Sequence, residues 1–295
     1  MRTTHSLSIT LKARAKINVG LDVVCKRADG YHELRTVMQT VGLYDNVFIK
    51  KIDKHKLKLV TNLKWMPIGD RNLVYRAAAF LMEEFNIESG VFIGLIKNIP
   101  VSAGLGGGSS DCAATLVGMR NLFRLPLSNS MLVELARKFG ADVPYCVMRG
   151  TALAEGTGER LRPLPPHPNV YVLLAKPPVS ISTAEIFGKL ELASETIHPD
   201  IGAIVRGLCS GSIMTIASEL GNTLERVTAE ICPYVPKLKQ IMLDNSALAA
   251  QMSGSGPTVF GYFRDRKSMN AASDALAREM PEVKEVYRTY IYNPV

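Results

Sequence analysis

The chain is 295 residues long, 47% apolar and 21% charged, with a formal net charge of +8. That length and apolar fraction support a sizeable core in one or two domains and exclude both a disordered chain and a small disulfide scaffold. The positive balance suits acidic small molecules such as phosphorylated metabolites. The cations are scattered, and no zinc-finger, basic-zipper or RNA-binding signature occurs, so nucleic acid is not an expected partner. Five cysteines (Cys25, Cys112, Cys146, Cys209, Cys232) are widely spaced with no Cys-x-x-Cys. They are expected to be small buried hydrophobes in a reducing compartment. The first ten residues lack the apolar core of a signal peptide, and no apolar run reaches membrane-spanning length. A cytoplasmic location without a membrane anchor is expected.

From Leu7 to Val23 every odd position is apolar or small, the alternation of a half-buried strand or hairpin, which puts Lys12, Arg14, Lys16 and Asn18 on the opposite face. Residues 27–32, Arg-Ala-Asp-Gly-Tyr-His, read as a turn. Strands are expected over Val37 to Val41 and Asp45 to Val60, the second carrying the alternating cations of an edge strand between Lys50 and Lys58. Asn72 is the expected cap of a helix over Leu73 to Phe85. A strand from Val91 to Ile99 leads into a glycine-rich loop and an apolar helix. A helix from Met131 to Phe139 stops at Gly140, and Ala141-Asp142-Val143-Pro144 follows. Thr151 to Glu155 reads as a strand. Residues 162–168 hold four of the sixteen prolines, which sets the expected domain boundary: 1–165 and 166–295.

The second part opens with a buried-type strand, Val170 to Ala175. Helical segments follow around Thr183 to Leu192, Ile201 to Arg206, Ser212 to Leu220, Thr223 to Val227 and Val235 to Leu243. Strands over Ala247 to Met252 and Thr258 to Phe263 are joined by Ser253-Gly254-Ser255-Gly256-Pro257. A helix (Lys267 to Met280) and a strand (Val283 to Tyr292) finish the chain. Strands and helices mix without a regular βαβ rhythm, which predicts an α+β fold.

The loop Pro100-Val101-Ser102-Ala103-Gly104-Leu105-Gly106-Gly107-Gly108-Ser109-Ser110 carries the chemistry. Glycines let backbone approach a ligand closely, serines at a helix start are expected to cap its N–H groups, and such a helix entry binds anions, usually phosphate. The Walker A lysine is missing and the last glycine of a dinucleotide fingerprint is Ser109. No lysine or arginine lies between Lys97 and Arg120, so cationic help must come from elsewhere in the chain.

A lysine on an N-terminal strand, this loop, and a second glycine/serine turn, in that order, resemble the GHMP kinases, small-molecule kinases named for galactose, homoserine, mevalonate and phosphomevalonate. The resemblance covers essentially the whole chain. It implies a two-domain architecture, an N-terminal ribosomal protein S5 domain 2-like fold that binds ATP and carries catalysis, and a C-terminal ferredoxin-like α/β-plait. Residues 15–18, 29–34, 106–110, 141–144 and 253–257 are similar to the members that phosphorylate a cytidine-diphosphate-linked sugar alcohol on the non-mevalonate route to isoprenoids. Ser102 departs from that pattern, which has glycine or alanine there, and Cys112 stands in place of a common alanine. The resemblance makes Lys16 and Asp142 the catalytic pair, with Asp142 as general base. It assigns the triphosphate of ATP to the loop, with the adenine near Asn72 and Lys97. Asn18, Tyr31, His32, Phe187, Gly254 and Ser255 are implied in substrate binding, with Tyr31 and Phe187 as stacking surfaces and His32 as donor and acceptor to a cytosine edge. Magnesium is expected with ATP. Neither metal ligands nor an oligomeric state follow from the sequence.

Overall fold

The computed structural model describes residues 7–294 apart from 54 and 193–195. In chain order the strands are β1 (Ser8–Lys26), β2 (His32–Ile52), β3 (Leu57–Thr61), β4 (Gly90–Ile96), β5 (Thr151–Gly156), β6 (Arg160–Pro163), β7 (Tyr171–Lys176), β8 (Gly221–Asn222), β9 (Ala249–Met252), β10 (Val259–Phe263) and β11 (Glu285–Tyr290). The helices are α1 (Leu73–Glu84), α2 (Gly107–Phe123), α3 (Asn129–Ala136), α4 (Val143–Met148), α5 (Thr183–Lys189), α6 (Ile201–Ser210), α7 (Ile213–Ser218), α8 (Glu225–Ile231), α9 (Tyr234–Asp244) and α10 (Arg266–Glu279). None of the helices among the described residues is long and apolar enough to cross a membrane. The chain forms two compact units. One comprises Met1–Ala15, Tyr44–Ile99 and Gly106–Met148; the other comprises Lys16–Leu43, Pro100–Leu105 and Arg149–Val295.

In the first unit the C-terminal part of β2 pairs antiparallel with β4, from Asn46 opposite Ile96 to Ile52 opposite Gly90. β3 runs parallel to β4 and forms the edge. The single strand expected over residues 45–60 is therefore two strands on either side of β4, interrupted where polar residues near position 53 turn the chain. α1 packs on α2, and α2 on α4. A Cβ at Gly118 of α2 would lie 2.6 Å from the Cδ1 atoms of both Leu11 and Ile49, so glycine lets this helix settle onto β1 and β2. α4 was not anticipated, because Pro144 signals a break. Proline is tolerated in a first helical turn, where its missing N–H has no helical acceptor to lose.

In the second unit the N-terminal part of β2 pairs with β5, and β5 with β6. β1 gains a two-residue parallel partner in β8. A separate antiparallel sheet has the order β11-β7-β10-β9. Long helical connections follow its first and third strands and a hairpin follows its second, which is the ferredoxin-like plait and makes the class α+β. α9 and α10 cover it, burying Leu173, Phe263, Leu238 and Leu276 in one apolar cluster. Cys112, Cys146 and Cys232 are buried, as expected of small hydrophobes, but Cys25 and Cys209 are exposed. Cys25 sits at the solvated end of β1, and Cys209 on the outer face of the last turn of α6.

His167 is buried in the second unit. Its Nδ1 lies 2.7 Å from the Pro168 carbonyl oxygen, which can only accept, so Nδ1 carries the proton and Nε2 accepts from the Tyr262 hydroxyl at 3.2 Å. Burial pushes the imidazole down to about 4 from its usual 6.5. The ring binds its proton more weakly in the folded chain than in the unfolded one, so unfolding takes up a proton between about pH 6.5 and 4 and stability falls as pH falls through that window. Urea unfolding is expected to show a loss on the order of 2 kcal/mol between pH 7 and 5 from this group. His167→Gln should flatten that part of the profile. Parallel profiles for the two proteins would contradict this assignment.

Candidate active site

The glycine-rich loop takes three residues through left-handed backbone: Ser102 (φ 53°), Gly104 (φ 74°) and Gly106 (φ 66°). Ser102, the departure from the family pattern, occupies a conformation that glycine adopts without the cost a Cβ brings. Gly106 is the N-cap of α2 and supplies no side-chain cap. The expectation that Ser109 and Ser110 cap the helix is corrected: both lie inside its first turn, because the glycine conformation at 106 starts the helix earlier. The Ser110 hydroxyl instead donates to the Arg14 carbonyl at 2.6 Å. Helical geometry leaves the N–H groups of Gly107, Gly108 and Ser109 without intrahelical acceptors. The positive end of the helix dipole adds to their attraction for an anion.

A lysine sits against this helix start after all. The Lys97 ammonium lies 3.2 Å from where a Cβ on Gly107 would be. It donates to Asp45 and, at 2.6 Å, to Asp111, with all three side chains buried. Asp45 also accepts from the backbone N–H groups of Asn98 (2.5 Å) and Ile99 (2.8 Å). Burial alone would lower the Lys97 pKa, but the Asp111 and Asp45 charges outweigh it and the net shift is upward. Burial raises the Asp111 carboxyl well above the usual carboxylate range, against the pull of Lys97. Lys97 is thus held by two carboxylates and fixes the strand-to-loop junction. Its backbone pairs with Asn62: the Asn62 carboxamide donates to the Lys97 carbonyl (3.1 Å) and accepts from the Lys97 N–H (2.9 Å). Asn72 caps α1, accepting from the Val74 N–H at 2.9 Å. Asp142 immediately precedes α4, is half-buried, and its carbonyl accepts from the Cys146 N–H at 3.0 Å.

In the second unit three distant segments meet. Lys16 and Asn18 are adjacent inward positions of β1, both buried. The Lys16 ammonium donates to Asn18 Oδ1 at 2.7 Å. Asn18 Nδ2 donates to the Thr36 hydroxyl (2.8 Å), which donates to the Gly20 carbonyl (2.6 Å). The Lys16 N–H donates to the carbonyl of Leu105 in the glycine loop at 3.0 Å. Ser253 joins all three segments: its hydroxyl accepts from the Asn18 N–H (3.3 Å) and donates to the Gly104 carbonyl (3.0 Å). A Cβ at Gly254 would stand 3.4 Å from both Lys16 Nζ and Asn18 Oδ1. Asn222 secures this turn, donating to the carbonyls of Met252 (3.0 Å) and Gly254 (2.8 Å). The Ser255 and Thr183 hydroxyls are 2.8 Å apart. They border a cleft of about 460 Å³ lined also by Ser102, Gly104 and residues 180–182.

The aromatic residues divide. The His32 and Phe187 rings lie 5.2 Å apart and tilted by 37°. Phe187 also packs against the apolar cluster of this unit. Burial, and then the Lys26 charge, hold the His32 pKa below its usual value. A neutral imidazole keeps one donor and one acceptor nitrogen. Tyr31 is 66% exposed. Sequence reasoning missed Ser253, Asn222, Thr36 and Asp45. Ser253 stands inside the turn already singled out; the others had no local signal.

Residues 72–150 match the GHMP kinase N-terminal domain and residues 204–282 the GHMP kinase C-terminal domain. The 4-diphosphocytidyl-2-C-methyl-D-erythritol kinase of Lachnospira eligens is 46% identical over 97% of this chain and 99% of its own length. The protein of that name from Lachnoclostridium phytofermentans is 47% identical over 90% of this chain and 91% of its own. The chain belongs to the 4-diphosphocytidyl-2-C-methyl-D-erythritol kinase family of GHMP kinases. A crystal structure of a 4-(cytidine 5'-diphospho)-2C-methyl-D-erythritol kinase superposes on it with a TM-score of 0.83 at 30% identity, covering 97% of this chain and 100% of that one. A homoserine kinase from Cytophaga hutchinsonii shares the fold, with a TM-score of 0.80 at 20% identity over 98% of this chain and 96% of its own.

The buried triad of this kinase predicts unequal costs of substitution. Lys97→Met strands two buried carboxylates and should cost about 3–5 kcal/mol in urea unfolding. Asp111→Asn leaves a neutral pair of Lys97 with Asp45 and should cost clearly less. Equal losses would contradict the arrangement.

Proposed function

We propose that this chain transfers the γ-phosphoryl group of ATP to a hydroxyl of 4-diphosphocytidyl-2-C-methyl-D-erythritol, giving the 2-phosphate, in the cytoplasmic non-mevalonate supply of isoprenoid precursors. Homoserine and mevalonate kinases share the fold, but their substrates carry no nucleobase. What supports the cytidine reading is the His32–Phe187 pair, which brings a stacking ring and a neutral donor–acceptor imidazole together from residues far apart in the chain. In this reading residues 1–165 supply nucleotide binding and catalysis, and 166–295 form the C-terminal domain.

Phosphoryl transfer needs alignment and charge stabilisation more than covalent work. Backbone N–H groups at 106–109 and the loop from Pro100 to Ser110 hold the triphosphate, with Asn72 and Lys97 bordering the base. Asp142 takes the proton of the attacking hydroxyl. Lys16 stabilises negative charge on the transferred group. Asn18 orients both the Lys16 ammonium and the acceptor hydroxyl, Gly254 and Ser255 approach the substrate's diphosphate, and Tyr31 adds a second face to the base. Magnesium, arriving with the nucleotide, neutralises phosphate charge. No three metal-ligating side chains gather among the described residues, and Asp111 is engaged by Lys97. Asp111 Oδ1 is buried with no hydrogen-bond partner among the described residues, so Asp111 would be the carboxylate to reach an ion carried by the phosphates, and no step is assigned to that ion.

Purified protein with ATP and magnesium should release ADP only when the cytidine-diphosphate alcohol is supplied. His32→Ala should raise KM for that alcohol at least about ten-fold with KM for ATP unchanged, the size expected for one lost base contact. Asp142→Asn should lose about two to four orders of magnitude in kcat with nucleotide binding retained. Equal effects of His32→Ala on both substrates would contradict the cytidine assignment.

A further inference from the structure

The 253–257 turn meets Lys16 and Asn18 on one side, and the first residues of α8 grip it from the other. β9, which leads into the turn, is an edge strand. The Ser253 N–H donates to the Thr258 carbonyl at 2.9 Å. Alternation along an antiparallel strand therefore turns both backbone groups of the preceding residue, Met252, toward the unpaired edge. Such an edge is ordinarily left to water or covered. Here side chains from residues 222–225 stand in for a neighbouring strand. The Met252 carbonyl accepts from Asn222 Nδ2 (3.0 Å), and the Met252 N–H donates to Glu225 Oε2 (3.0 Å). The same Glu225 oxygen accepts from Gln251 Nε2 (2.5 Å), and Glu225 Oε1 accepts from the Lys239 ammonium on α9. Gln251 is buried, and Glu225 and Lys239 are half-buried. Three donors thus converge on one carboxylate. A carboxylate only accepts, so its two oxygens serve all three. A carboxamide has one acceptor oxygen and would turn N–H bonds of its own toward those donors.

We propose that Glu225 is a positioning residue for phosphoryl transfer, acting through the Met252 backbone to set where the 253–257 turn stands against Lys16. The proposal deepens the kinase reading and rests on it. A Cβ at Gly254 would lie 3.4 Å from Lys16 Nζ, and Met252 is two residues away, so a displaced strand end is carried into that contact. The Ser253 hydroxyl passes the same displacement to the glycine loop through the Gly104 carbonyl. Lys239 clasps the carboxylate from α9 and keeps it under the strand end.

Glu225→Gln should lower kcat at least about ten-fold, with KM for ATP and for the alcohol substrate within about two-fold of the unsubstituted chain. Lys239→Met removes the clasp but not the strand-end bonds, and should lower kcat in the same direction by less. A residue that only supports the fold would lower the unfolding midpoint and leave the kcat of the folded protein alone. Amide hydrogen exchange, followed by mass spectrometry on the intact chain, reads the geometry without turnover. In Glu225→Gln exchange should quicken across residues 252–256 and also across residues 100–105. If Glu225→Gln does not fold, Lys239→Met carries both readouts. Unchanged kcat in either folded variant, or faster exchange confined to residues 251 and 252, would overturn the proposal and leave the kinase reading intact. If the unsubstituted chain phosphorylates no alcohol, the kinase reading fails instead, and the exchange pattern still decides whether Glu225 places the turn.

Discussion

The contact on which the arrangement of the second unit's polar cluster depends is backbone against backbone. The glycine loop and the 253–257 turn meet at Gly104 and Ser253, so closely that a Cβ on Gly104 would fall 2.1 Å from the Ser253 carbonyl oxygen. Ser253 locks the approach by accepting from Asn18 and donating to Gly104. Lys16, Asn18 and Gly254 take their relative positions from that junction. Hydroxyls and amides with short side chains suit it, because a longer chain at any of the three points would hold the segments apart. Asn222 holds the turn from behind through two carbonyls.

The charged groups follow a division of labour. Lys97 is buried and clasped by two carboxylates, so its work is to fix the entry to α2. Lys16 is equally buried, and its ammonium donates to the Asn18 carboxamide oxygen. The loop itself needs no lysine: three consecutive backbone N–H groups and the helix dipole supply a fixed positive potential. The missing Walker lysine is thereby explained by a different way of presenting positive charge.

Much of this was legible in the sequence, for identifiable reasons. The alternation survives as β1, with its odd positions from Ala13 to Val23 in the core, whereas Leu7 lies outside the strand and is exposed. The ferredoxin-like strands appear close to their expected limits, since each is a short apolar run closed by turn residues. The left-handed turns of the loop at Gly104 and Gly106 follow from its glycine spacing. What stayed hidden depends on partners distant in sequence. β8 is two residues long and exists only as a parallel partner of β1. Asn222 and Asp45 look like ordinary polar residues until the turn and the loop junction they bind are in place. The cap of α2 was misread because serine caps are common, whereas here Gly106 bends the chain and leaves the helix start open.

The most direct test of the central junction is kcat for Gly104→Ala at saturating ATP and alcohol substrate, in protein whose circular dichroism is native. Relieving the overlap with the Ser253 carbonyl requires a shift of about an ångström, and a misplacement of that size costs about 100-fold in turnover. A fall of that order is the expected result. Turnover close to that of the unsubstituted chain would show that phosphoryl transfer does not depend on this contact.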